Sequence, residues 1–147
     1  MVTGSCSSRE PVRMPSGQLP VITAREREFV DITGPLQDAV RETGIENGLL
    51  TVFNPHTTAG LTINEGADPA VQHDLLGVLD RMMPHDYPYR HGEGNSPSHM
   101  MATLAGSSVT VFVESGRIRL GTWQRIFFCE FDGPRSRKVW WKLLEGS

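Results

Sequence analysis

The hydrophobic and polar positions divide the chain into a β-patterned opening, a helical middle and a β-patterned last third. Val21 to Ile32 reads as extended chain, interrupted from Arg25 to Glu28 by charges that form either a hairpin turn or an exposed edge. Thr33, Gly34 and Pro35 make a helix entrance, Leu36 and Val40 lie four apart on one stripe, and Gly44 is a stop. Leu49 to Phe53 is a strand that ends at Asn54 and Pro55, so His56 falls just past a strand end.

The second helix carries the clearest signals. Asp68 is its N-cap and Pro69 its first residue, with Val71, Leu75, Val78, Leu79 and Met82 at helical spacing before Pro84 ends it. This stripe predicts Met82 and Met83 as core fillers, and His73 and His85 as solvent-facing. Pro84 to Pro97 shows no apolar periodicity and reads as a long loop, a type that often carries function. Beyond Pro97 a brief helix through Met100, Met101 and Leu104 puts His99 in its first turn.

In the last third Val109, Val111 and Val113 alternate, Glu114 to Gly116 turn the chain, and Arg117 to Leu120 return. Trp123 to Phe131 is apolar on both faces, as in a strand covered on both sides. Val139 to Leu144 closes the chain, with Trp140 and Trp141 on opposite faces. Strands outnumber helices and the connections are short, so the pattern predicts an α+β fold with mostly antiparallel pairing and two to three helices.

With 147 residues the chain is long enough for one self-sufficient core. Its opening is rich in Ser, Gly and Pro and poor in large apolar residues, which predicts a flexible leader over 1–18 and a single domain over 19–147. A net charge of -3 offers no electrostatic footing for nucleic acid or a membrane surface. No apolar run is long enough to span a bilayer, and no secretory signal is visible. Cys6 and Cys129 lie far apart in no CxxC arrangement, so both are expected reduced and the location cytoplasmic. Cys129, within a Phe-rich strand, reads as an inert core thiol.

The candidate chemistry lies in two irregular segments, NPHTTAGLTINEGAD and RHGEGNSPSH. His56, His91 and His99 supply imidazoles able to hold a divalent metal, zinc or magnesium, if the fold brings them together. Asn64 and Glu65 orient a ligand or serve as acid and base, and a solvated strand end explains them nearly as well. Thr57 and Thr58 hold a phosphate or cap a turn. Gln124 opens an otherwise apolar strand, and its amide is expected to meet a ligand.

The run Ser108, Val111, Val113, Gly116, Gly121, Thr122, Trp123, Gln124 and Ile126 resembles the signature of the YjbQ-like family. HTTAGLTINEGADP from His56 to Pro69 and the spaced His91 and His99 agree with it, so the likeness covers nearly the whole domain. The resemblance implies a barrel-like or sandwich-like antiparallel sheet, a homotrimer and a histidine-containing pocket near a subunit boundary. It also implies a secondary thiamine-phosphate synthase activity on phosphorylated small molecules. His56, His91, His99 and Glu65 are then the catalytic candidates, with Thr57, Thr58, Asn64 and Gln124 for substrate. A metal-dependent hydrolase with Glu65 as base, and a trimeric metabolite-binding protein without turnover, remain alternatives.

Overall fold

Two antiparallel sheets and a pair of helices stack in three layers, with the strongest apolar runs of the sequence in the middle one. The computed structural model describes residues 9–146. The larger sheet has the order β1-β8-β3-β5-β6, built from β1 (Ser16–Ile22), β3 (Gly48–Phe53), β5 (Ser108–Glu114), β6 (Arg117–Arg119) and β8 (Ser136–Glu145). The smaller has the order β2-β7-β4, from β2 (Glu28–Asp31), β4 (Ala59–Glu65) and β7 (Gln124–Glu130). Helices α2 (Pro69–Met82) and α3 (Ser96–Ala105) cover the outer face of the smaller sheet, while α1 (Thr33–Thr43) packs against β6 and β7.

The two-faced apolar run is the central strand β7, and it serves two cores. Ile126 and Phe128 join Leu36, Val40, Leu50, Val52, Leu61, Val139 and Leu143 between the sheets. Cys129 and Phe131 join Met83, Met101 and Ala102 under the helices. Period-two alternation makes this division, since successive side chains leave a strand on opposite faces. Burial pushes the Cys129 thiol up to about 12, so it stays protonated and inert, as the sequence suggests.

Local signals act where they were expected. Asp68 accepts a hydrogen bond from the Ala70 amide at the head of α2, and Gly44 ends α1 in the left-handed region. Ser115 and Gly116 both take positive φ, the two-residue turn that matches strand twist between β5 and β6.

Four expectations need revision. Of the two readings of the segment from Val21 to Ile32 the hairpin fails: β1 pairs with β8 and β2, an edge strand, with β7, so the charges at 25–28 carry the chain from one sheet to the other. The first strand begins at Ser16, ahead of the extended chain expected from Val21 and of the domain start expected at 19, and the backbone keeps pairing further back, with the Leu143 and Glu145 amides donating to the Pro15 and Arg13 carbonyls. The part of the expected leader before residue 9, with Cys6, lies outside the described residues. Met82 is 57% exposed with Val78 beside it, because the inward side of α2 is centred on Leu76 and Leu79. Of the two methionines only Met83 fills the core. Finally, α3 starts at Ser96, one residue ahead of Pro97, which still leaves His99 in the first turn.

Among the described residues no helix is long and apolar enough to cross a membrane.

Candidate functional site

The site begins with a polar cluster buried between the sheets. Glu130 is the one carboxylate in the run FFCEF, it is fully buried, and its inward-facing neighbour on β8 is Arg137, also buried. Arg137 Nε and Nη2 donate to the two Glu130 oxygens at 2.8 and 2.6 Å. The Thr23 hydroxyl and the Asp132 amide complete the carboxylate at 2.9 and 3.0 Å. Burial pushes the Glu130 carboxyl up, but the hydrogen bonds from Arg137, Asp132 and Thr23 outweigh it and hold the group below its ordinary value. Arg137 Nη2 also donates to Thr58 Oγ1 at 2.9 Å, and Nη1 has no hydrogen-bond partner among the described residues. The guanidinium is therefore locked in orientation with one nitrogen left for a ligand.

Above this pair opens a cavity of about 440 Å³, whose walls include His56, His91, His99, Arg135 and Arg137. His56 comes from the connection after β3, and buried Asn54 shapes that turn. Its amide group donates to the His56 and Ala59 carbonyls at 3.1 and 2.7 Å and its oxygen accepts from the His56 amide at 3.0 Å. His56 Nε2 sits 3.0 Å from the backbone nitrogen and 3.1 Å from the carbonyl oxygen of Lys138, taking the place of the next rung of the β3–β8 ladder. Only Nδ1 is left for a ligand. Burial and the Arg137 charge hold the imidazole below its ordinary value, so it is neutral at pH 7.

His91 arrives on the long loop and His99 on the first turn of α3. Their rings meet edge to face with centroids 5.3 Å apart. Glu93 lies 3.8 Å from His91 Nε2 at the mouth. Asp132 accepts from Asn95 Nδ2 and Arg135 Nη2, both at 2.9 Å.

Thus the fold brings His56, His91 and His99 into one cavity, with Thr57 and Thr58 on its wall. Thr58 is a structural hydroxyl bound to Arg137, whereas Thr57 is exposed. The expected metal set does not form: among the described residues no three His, Cys, Asp or Glu side chains are placed to share an ion. Zinc or magnesium therefore does not fit these donors as they stand, and His56 could offer such an ion only Nδ1.

Glu65, Asn64 and Gln124 do not reach the histidines. Glu65 pairs with Gln124 at the far end of the β4–β7 ladder, six residues from the Ala59–Glu130 rung, about 20 Å at strand rise. The Glu65 carboxylate accepts from the Asp68 amide at 2.8 Å and so supports the head of α2. Asn64 accepts from the Glu65 amide, and exposed Gln124 closes its own turn by accepting from Gly121 at 2.8 Å. The residues that sequence reasoning missed are Asn54, Glu130, Asp132, Arg135 and Arg137. Glu130 had a usable signal, since a lone carboxylate in a strand apolar on both faces must find a buried cation.

The pKa directions imply acid destabilisation in two steps. A folded-state value below the unfolded one means that stability is complete above the unfolded value and lost as pH falls through the folded one. His56 therefore begins to cost stability below about pH 6.5 and Glu130 below about pH 4.5, their ordinary values. Urea unfolding between pH 7 and 2 should show both phases, and His56→Gln should remove the first while sparing the second.

The UPF0047 YjbQ-like family model matches residues 17–146. The UPF0047 protein YugU of Bacillus subtilis is 46% identical over 127 residues, covering 86% of this chain and 96% of that protein. A UPF0047 protein of Methanocaldococcus jannaschii, MJ1081, is 44% identical over 122 residues, covering 83% of this chain and 88% of that protein. Among solved structures, an uncharacterised YjbQ/UPF0047 protein of Clostridium acetobutylicum superposes with a TM-score of 0.83 at 49% identity, covering 86% of this chain and 98% of that one. A YbjQ-like protein of unknown function from Sulfolobus solfataricus does so with 0.86 at 32% identity, covering 92% and 100%.

Proposed function

Starting from the premise that this chain belongs to the UPF0047 YjbQ-like family, we propose that it is an enzyme acting on a phosphorylated small molecule. The observation that carries this reading is the convergence of three imidazoles and two guanidiniums, from three stretches of chain remote from one another, on one polar cavity. Arg137 Nη1, held in place by Glu130 and Thr58, and Arg135, held by Asp132, supply oriented donors for phosphate oxygens. His56 offers Nδ1 to the same ligand, and His91 and His99 carry protons to and from the reacting atoms.

The reaction to test first is the thiamine-phosphate synthase type that the sequence resemblance implies. The bond between a pyrimidine methylene carbon and its diphosphate oxygen breaks, pyrophosphate leaves with the electron pair, and a thiazole phosphate nitrogen bonds to the carbon. Charge builds on the leaving pyrophosphate, so fixed guanidiniums and proton donors are the groups that lower this barrier. Purified protein should form thiamine phosphate from the two precursors above a His91→Ala/His99→Ala control. No turnover with saturable phosphate-ester binding would leave a metabolite-binding protein instead. The metal-dependent hydrolase is disfavoured, since its ligand set and its base, Glu65, lie apart in the fold.

A homotrimer belongs to the same proposal. The outer face of the larger sheet leaves Leu49, Phe53, Phe112, Trp140 and Leu144 each more than 40% exposed, with Phe53 and Trp140 stacked at 5.8 Å. An uncovered apolar face of this kind marks an association surface. Phe112→Glu should convert the assembly to monomer in light scattering with the monomer still folded, and an unchanged mass would refute this face as the interface.

A further inference from the structure

The carboxylates around the cavity outnumber the guanidiniums by one. Arg135 and Arg137 are each paired, with Asp132 and Glu130, and Glu93 adds a third carboxylate at the mouth. Imidazoles aside, two positive charges stand against three negative ones. A phosphate entering this cavity gains the free guanidinium nitrogen, and a positive group carried on the same molecule is drawn to the unmatched carboxylate.

Glu93 is the group left over. Its side chain is 73% exposed, it makes no hydrogen bond among the described residues, and the nearest basic side chain is the His91 imidazole, with Nε2 at 3.8 Å. Every other carboxylate of the cluster is occupied: Glu130 by four donors and Asp132 by Asn95 and Arg135. The cavity is thus bipolar, with an oriented cation at its floor and an unclaimed anion at its rim.

We infer that the natural ligand is a zwitterion, a phosphate monoester bearing a protonated nitrogen, whose phosphate meets Arg137 and whose cationic nitrogen meets Glu93. This inference rests on the phosphorylated-ligand reading and narrows its substrate class. A cavity of about 440 Å³ has room for both ends of such a molecule. Glu93 then selects among phosphate esters rather than taking part in bond making.

Calorimetry on the full-length protein with ethyl phosphate and O-phosphoethanolamine tests this, since the probes differ by one ammonium group. The wild type should bind O-phosphoethanolamine about fivefold more tightly, the size of one solvent-exposed ion pair. Glu93→Gln should bring the two probes to equal affinity. If ethyl phosphate binds as well as the amine to the wild type, or the preference survives Glu93→Gln, the zwitterion inference is overturned while the phosphate pocket stands. If neither probe binds, the phosphate pocket itself is refuted.

Discussion

Replacing Arg137 by Met is expected to lower the stability of the fold by roughly 3–5 kcal/mol, the usual consequence of leaving one member of a buried ion pair alone. Arg137 and Glu130 join the two sheets at the pocket end of the core, with side chains only 5% and 0% exposed. Without the guanidinium, Glu130 keeps only the Thr23 hydroxyl and the Asp132 amide, too few donors for a buried carboxylate. The variant should escape by protonating Glu130, so its unfolding midpoint in urea should rise as the pH is lowered from 7 to 5, opposite to the wild type. Arg137→Met combined with Glu130→Leu should recover most of the loss, because an apolar pair can replace an ion pair in a core. Arg135→Met, at an exposed ion pair, should cost less than about 1 kcal/mol. A loss below 1 kcal/mol for Arg137→Met would show that the pair does not hold the sheets together.

The second large effect concerns turnover. His91→Ala and His99→Ala should each reduce kcat for thiamine phosphate formation by about 10²–10⁴-fold, the range of a lost proton-transfer group. Their rings are in contact, so they act as a unit and the double variant should fall little below the worse single one. His91 is 45% exposed on a loop, so its removal should leave thermal unfolding unchanged, which separates a catalytic loss from a folding loss. Full activity in the double variant would remove the histidine pair from the mechanism.

Much of the architecture was visible along the chain because it depends on neighbours in sequence. Asp68 and Pro69 start a helix, Gly44 stops one, and Ser115–Gly116 turns a hairpin through groups a few residues apart. The apolar pattern of β7 announced coverage on both faces. Met82 and the 25–28 segment were misplaced for a different reason. Periodicity says that a stripe exists but not which neighbour covers it, and an interruption in extended chain does not say which strand comes next in space.

The candidate site shows the same division more sharply. Residue chemistry alone marked His56, His91 and His99, and the fold lines one cavity with all three. Gln124 and Glu65 had equally suggestive chemistry, yet strand pairing carries them to the opposite end of the β4–β7 ladder, where they close a turn and support a helix. Arg137 carried no signal in the sequence, and became the floor of the pocket through its pairing with a residue seven positions earlier.

What the sequence determined by itself is the set of elements, their order, the inward faces of most of them and the kind of chemistry available. Only the tertiary structure decided which side chains share a cavity and that Glu130 and Arg137 neutralise one another. The physical reason is range. Capping, turn geometry and side-chain alternation act over a few residues, whereas electrostatic pairing and cavity formation depend on distances in space that strand registry sets between segments remote along the chain.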